Sequence, residues 1–82
     1  MKDFVYTEHA LDMLEERKIK ENWVRSALED PERKEQKEDG TVDYLKPIEE
    51  FDNHYLHVAV NPNVQPPRII TVFFDRRLGR RA

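Results

Sequence analysis

The chain of 82 residues has no cysteine, two glycines and one tryptophan, and it lacks any long apolar run. Without cysteine there is no disulfide framework and no thiolate metal site. No apolar run approaches the length of a membrane span and no signal-peptide pattern opens the chain, so we expect a cytoplasmic protein without membrane contact. The two glycines, Gly40 and Gly79, form no glycine-rich phosphate loop. We therefore expect neither a cofactor nor a metal.

Charged residues make up 38% of the chain, and hydrophobic residues also make up 38%. A chain of this length forms one domain and buries only roughly 60% of its unfolded surface, so its core is small. Dimerisation would cover leftover apolar surface, and a homodimer is one expected assembly.

The charge is unevenly spread along the chain. Residues 1–67 hold nine Lys/Arg and sixteen Asp/Glu, a net charge of −7, whereas residues 68–82 hold five Arg and one Asp, a net charge of +4. We interpret residues 1–75 as a single domain and residues 76–82 as an Arg-rich tail. The tail is either a solvated chain end or an arm that binds phosphate or a partner.

Two short helices are predicted, over residues 7–18 and 20–29. Thr7 is a suitable N-cap for the first, whose apolar residues recur at helical spacing. At about 100° per residue, Arg17 projects near the middle of that apolar face and His9 lies at its border. Arg17 should then contact a carboxylate, backbone carbonyls or an anion; alternatively, it follows the last full turn and bonds the final carbonyls. The second helix has Lys20 at its N-cap and ends before Pro31.

The rest of the chain predicts strands near residues 33–38, 41–46, 54–60 and 68–74, with a tight turn at Asp39-Gly40. Residues 3–6 are either a strand or a docked arm. The fold class is therefore α+β, with two N-terminal helices packed on one face of a three- to four-stranded antiparallel sheet. The expected core consists of Val24, Leu28, Leu56, Val58, Ile70, Val72 and Phe74.

Several of these residues occur in an order that resembles a known family. His9-Ala10 is followed by Arg17-x-Ile19, by Val24 with Leu28-x-Asp30-Pro31, by Tyr44 and by Ile69-x-Thr71-Val72. This order over residues 4 to 74 resembles the small bacterial and archaeal proteins of domain-of-unknown-function family 4258, which are similar in layout to RelE-like and BrnT-like toxins. The resemblance implies a RelE-like fold and a metal-free ribonuclease.

The chain departs from that family at three points. Met13 stands where family members often carry a second basic residue, and Lys20 stands where they often have Ser or Thr. RelE-like toxins are usually basic, whereas this chain has a net charge of −3. The last departure bears more on catalysis than on fold.

Metal-free RNA cleavage needs a base, an acid and cations that stabilise the transition state. His9 is the best acid/base candidate because the ordinary pKa of histidine is near neutrality. Arg17 and Arg68 suit phosphate, Tyr44 could donate to phosphate or stack on a base, and Thr71 offers a hydroxyl.

Each candidate also has a structural interpretation. His9 would bond a backbone carbonyl, Arg17 would form a buried ion pair, Tyr44 would cover the sheet and Thr71 would serve as a strand former. His57, a second acid/base candidate, alternates with Leu56 and Val58 and is expected to be solvated. Because His54 and His57 have odd spacing on one strand, their rings face opposite ways and predict no metal site.

Two hypotheses follow. The first is a RelE-like, toxin-type, metal-independent endoribonuclease with RNA as substrate and a small antitoxin-like protein as partner. The second is a non-catalytic module of the same fold that binds protein or RNA.

Overall fold

The computed structural model describes the backbone of residues 4–80 and the side chains of residues 4–75. The side chains of the Arg-rich tail lie outside this range, so its role stays a prediction. The elements, in chain order, are β1 (Val5–Tyr6), α1 (Glu8–Glu16), α2 (Glu21–Glu29), β2 (Arg33–Gln36), β3 (Val42–Ile48), a 3₁₀ turn (Glu49–Phe51), β4 (His54–Asn61) and β5 (Arg68–Arg80). The fold is α+β, as predicted.

The strands form one five-stranded mixed sheet in the order β1-β5-β4-β3-β2. The prediction of three to four antiparallel strands was wrong at one edge, because β1 pairs with β5 in parallel. The backbone N–H of Val5 donates to the Pro67 carbonyl at 3.0 Å, and that of Thr7 donates to the Ile69 carbonyl at 3.0 Å. A two-residue strand is too short to show a period, and its partner lies about sixty residues away in sequence. The sequence therefore carries no local signal for this pairing.

Helix α1 begins at its predicted N-cap and ends at Glu16, two residues before its predicted end. The Thr7 hydroxyl oxygen accepts from the Ala10 N–H at 3.2 Å, and the hydroxyl lies within hydrogen-bond distance of the Ile69 and Ile70 carbonyls, at 3.0 and 3.1 Å. Arg17 is the C-cap, its N–H donates to the Met13 carbonyl, and its side chain is exposed. The prediction that Arg17 projects from the buried face was wrong, because the helix ends at Glu16 before that turn is complete.

Helix α2 begins after Lys20, which occupies the N-cap without a side-chain hydrogen bond, and ends at Asp30. Its buried residues are Trp23, Val24 and Ala27. They form one core with buried residues of β3, β4 and β5, so both helices pack on the same side of the sheet. This side, which carries Leu56, Val58 and Val60, is called the helix face below, and the other side is called the open face.

The core contains most of the residues that alternation predicts. Val24, Leu56, Val58 and Val72 are fully buried, and Leu28 and Phe74 pack against them while partly buried. Ile70 is an exception. The register of β4 and β5 shifts between Ala59 and Val60, so that Val60 pairs with Ile69 and Ala59 with Thr71. Ile70 is the extra residue of this bulge, and Ile69 takes its place in the core.

The β2–β3 hairpin turns at Gly40, where φ is +91°. The Lys37 N–H donates to the Thr41 carbonyl at 2.8 Å. The Asp39 carboxylate accepts from the Thr41 hydroxyl at 2.7 Å and from the Thr41 N–H at 3.0 Å. The tight turn that the sequence predicts is therefore confirmed. Within residues 4–80, no helix is both long enough and apolar enough to cross a membrane.

Candidate binding groove

A surface depression lies on the helix face, between α2, β1 and the strands β2 and β3. Its volume is about 620 Å³, within the range of sites for small organic ligands. Its lining combines aromatic and charged side chains, which are Phe4, Tyr6, Glu21, Arg25, Glu29, Lys34 and Tyr44. This depression is called the aromatic groove.

Tyr44 lines this groove. Its ring meets the ring of Phe4 edge-on, with centroids 6.5 Å apart and planes at 83°. The Lys34 ammonium lies 5.2 Å from the Tyr44 ring centroid. Phe4 and Tyr44 also line a second depression of about 610 Å³, which continues towards Pro62. The half-buried Tyr44 ring thus lines both depressions.

The helix wall of the aromatic groove is charged. Glu21, Arg25 and Glu29 recur every four residues on α2, so they share one helix face, and all three line the groove. Among the described residues, these three and Lys34 form no ion pair with one another or with any other side chain. Their charges are therefore available to a ligand.

Tyr6 lines the groove beside this wall. Burial raises the pKa of the Tyr6 phenol above its usual value of 10.0; the negative charge of Glu21 raises it further, and Arg25 opposes the shift. The phenol therefore keeps its proton at neutral pH and can donate a hydrogen bond. The shift also shows that the Glu21 and Arg25 charges act on the same ring.

The five predicted site residues do not meet in one place. His9 is exposed on the first turn of α1, Arg17 is the exposed C-cap of α1, and Arg68 is exposed at the start of β5. Thr71 pairs with Ala59 on the open face, opposite to Tyr44. Within residues 4–80, no hydrogen bond or ion pair joins any two of the five. Only Tyr44 lines the aromatic groove.

Tyr6, Arg25 and Lys34 were missed by the sequence analysis. A strand was one of the two alternatives for residues 3–6, but its parallel pairing with β5 was not predicted, so nothing indicated that Tyr6 and Tyr44 line the same groove. Lys34 could have been found, because pairing of β2 with β3 places it directly beside Tyr44. Arg25 lies on the exposed side of α2, where a charged residue usually signals only solvent.

The open face holds a polar cluster that contradicts one expectation. His57 is buried, with 7% exposure, and was predicted to be solvated. Its Nε2 lies 3.1 Å from Asp75 Oδ2, its Nδ1 lies 3.6 Å from Asp43 Oδ2, and its ring stacks on Phe73 with centroids 4.7 Å apart. Strand alternation correctly placed His57 on the face opposite to Leu56 and Val58. His57 is nevertheless buried, because side chains from β3 and β5 surround its ring on that face. Because both nitrogens are enclosed, His57 has a structural role here.

No curated protein and no solved structure matches the chain. A family model matches residues 6–74, which include every residue lining the aromatic groove except Phe4. The chain therefore belongs to the family described as Domain of unknown function (DUF4258).

Proposed function

We propose that the chain is a non-catalytic module that binds single-stranded RNA in the aromatic groove. The observation that carries this proposal is the setting of Tyr44, whose ring is held edge-on by Phe4 with the Lys34 ammonium 5.2 Å from its centroid. A fixed ring beside a cation offers the two contacts that single-stranded RNA uses most: stacking of a base and attraction of a phosphate.

The charge balance determines what kind of binding to expect. The chain has a net charge of −3, and Arg25 and Lys34 are the cations that line the groove. With at most about two phosphate contacts, the salt dependence should be shallow, with a slope no steeper than about −1.4 in log–log form. Stacking contributes about 1–3 kcal/mol per base and is expected to dominate the affinity.

A metal-independent ribonuclease of toxin type, with a RelE-like fold, is the second candidate. His9 lies on an exposed turn, where an RNA strand can reach it, and this observation favours cleavage. Cleavage also needs an acid, a base and a phosphate clamp within reach of one another. His9, Arg17, Arg68 and Thr71 lie outside the aromatic groove, so the geometry supports binding better than catalysis.

The chain itself provides matched controls for a binding test. Lys34 and Tyr44 form a cation–ring pair on the helix face, at 5.2 Å. Arg33 and Tyr55 form a comparable pair on the open face, at 5.8 Å. Substitutions of one pair test the groove, and the same substitutions of the other pair report non-specific effects of losing a ring or a cation.

The experiment measures fluorescence anisotropy of a short labelled single-stranded RNA. Tyr44→Leu is expected to weaken binding about tenfold, through lost stacking. Lys34→Ala should weaken it a few-fold and reduce the salt slope by about 0.7. Tyr55→Leu and Arg33→Ala should bind like the unmodified protein. Equal losses on both faces would contradict the groove, and absence of binding at millimolar RNA would favour a protein partner, such as a small antitoxin-like protein.

The same RNA also tests the ribonuclease candidate. Its integrity is followed by gel electrophoresis after incubation, with and without a chelator. Cleavage that persists with chelator and falls about a hundredfold in His9→Ala would replace the binding module with a metal-independent nuclease. Intact RNA together with groove-dependent binding supports the non-catalytic module.

A further inference from the structure

We propose that the aromatic groove selects guanine, with Glu21 and Arg25 contacting the base edge. This inference rests on the proposed RNA binding and specifies its substrate. The two side chains lie one helical turn apart on α2 and both line the groove. A carboxylate and a guanidinium side by side offer two acceptors next to several donors.

Guanine matches this pattern better than the other bases. Its Watson–Crick edge carries two adjacent donors, N1–H and the N2 amino group, followed by the acceptor O6. A carboxylate can accept from both donors at once, in a charge-assisted bidentate pair. Adenine, cytosine and uracil each present a single donor group on that edge, so none can engage Glu21 in this way. The Arg25 guanidinium would donate to O6.

Both charged groups are ready to bind. Glu21 and Arg25 are exposed and, within residues 4–75, neither takes part in an ion pair, so a ligand would displace no ion-pair partner among these residues. The half-buried Tyr6 ring lies beside both charges, which both act on its phenol. A base stacked on an aromatic wall at this position would place its edge towards α2.

Glu29 and Lys34 complete the charge arrangement. Lys34 extends from β2, lines the groove and is the cation beside Tyr44. A nucleotide whose base edge faces Glu21 would direct its phosphates away from that carboxylate, and Lys34 can attract them. Glu29, one turn beyond Arg25, disfavours a phosphate on the helix wall. The charges therefore favour one orientation of the nucleotide.

The first test compares labelled RNAs that differ at the central base: UUGUU, UUAUU, UUCUU, UUUUU and UUIUU, where I is inosine. Inosine keeps O6 and N1–H but lacks the N2 amino group. We expect UUGUU to bind at least about tenfold more tightly than the A, C and U forms, the usual discrimination of one bidentate pair. UUIUU should lose most of that advantage.

The second test removes the second acceptor without changing the side-chain shape. Glu21→Gln should abolish the preference for UUGUU over UUIUU, because a carboxamide cannot accept from both donors. Glu16→Gln, on the exposed part of α1, is the matched control and should keep the preference. Competition with free GMP and AMP identifies the source of the guanine. Displacement by GMP alone, as strong as that by UUGUU, would indicate a free guanine nucleotide, and much weaker displacement would indicate RNA.

The outcomes separate this inference from the proposed function. Equal affinity for all five RNAs, with binding still sensitive to Tyr44→Leu, would overturn guanine selection and leave RNA binding in place. A guanine preference that survives Glu21→Gln would overturn the assigned contact. Absence of binding to every RNA and to GMP would overturn both.

Discussion

His57 joins two strands that do not pair with each other: its Nε2 lies 3.1 Å from Asp75 on β5, and its Nδ1 lies 3.6 Å from Asp43 on β3. The ring lies on the intervening strand β4 and is buried on the face opposite to both helices. Asp43 also contacts the Lys37 ammonium at 3.5 Å. One imidazole therefore lies between two carboxylates on the open face.

Replacing His57 should destabilise the fold substantially. His57→Ala removes a polar partner from two poorly solvated carboxylates and leaves a space beside Phe73, so we expect a loss of about 2–3 kcal/mol in the free energy of unfolding. Urea denaturation followed by circular dichroism measures it. His9→Ala, the same substitution on an exposed turn, should change stability by less than about 0.5 kcal/mol. Similar effects at both positions would contradict a structural role for His57.

The N-cap of α1 also ties the helix to β5, because the Thr7 hydroxyl accepts from Ala10 and lies within hydrogen-bond distance of the Ile69 and Ile70 carbonyls. Thr7→Ala should therefore cost about 1–2 kcal/mol of stability, since it removes both the cap and a contact to the sheet. Thr7→Ser keeps the hydroxyl and should retain most of that stability. Thermal denaturation of both variants distinguishes the hydroxyl from the methyl group as the cause.

Gly40 should tolerate no side chain. At φ = +91° a residue other than glycine is strained, and a Cβ would lie 3.0 Å from Asn63 Nδ2. Gly40→Ala should destabilise the protein by about 1–2 kcal/mol, measured by urea denaturation. The double variant Gly40→Ala with Asn63→Ala relieves the contact alone. If the double variant is as unstable as Gly40→Ala, the backbone conformation causes the loss of stability. If the double variant recovers full stability, the contact with Asn63 causes it.

The turn also predicts a pH dependence. Two hydrogen bonds from Thr41 lower the pKa of the Asp39 carboxyl below its usual value of 3.8. The bond from the hydroxyl has the larger effect, and the bond from the backbone N–H has the next largest. Because the folded state favours the carboxylate, this contribution to stability is fully present above pH 3.8 and is lost as the pH falls through the lowered pKa. Thr41→Ala should raise the Asp39 pKa towards its usual value in an NMR titration, and Thr41→Ser should not. An unchanged pKa in Thr41→Ala would mean that the hydroxyl is not the main cause.

Local patterns predicted the helices and most strands because those signals lie within a few residues of one another. Thr7 as N-cap, Lys20 at the start of α2 and the turn at Gly40 were all confirmed. Ile70 was assigned to the core by strict alternation, and the bulge opposite Ala59 and Val60 moved Ile69 there instead. A bulge depends on how two strands fit, which one strand does not show.

The candidate site was less predictable, because it too depends on how separate elements pack together. Tyr44 was selected from its own strand, but the residues that give it a groove come from β1, α2 and β2. Tyr6 is brought there by a parallel pairing with β5, and Arg25 by the packing of a whole helix. His9 and Arg17 stood out as polar residues at or near the apolar face of a helix, yet both are exposed, because α1 covers the sheet with residues such as Ala10. Their roles stay predictions.

Arg33 and Lys34 are neighbours on β2 and lie on opposite faces of the sheet. The length of the β2–β3 turn therefore determines which β2 side chains line the aromatic groove. Each residue pairs with a fixed partner on β3, Arg33 with Leu45 and Lys34 with Tyr44. If one residue were deleted between Lys37 and Thr41 and β2 shifted by one position, every β2 side chain would exchange faces. Lys34 would leave the aromatic groove, and residues that now lie on the open face would enter it. A homologue could thus lose this groove through a single deletion that alters none of the residues lining it.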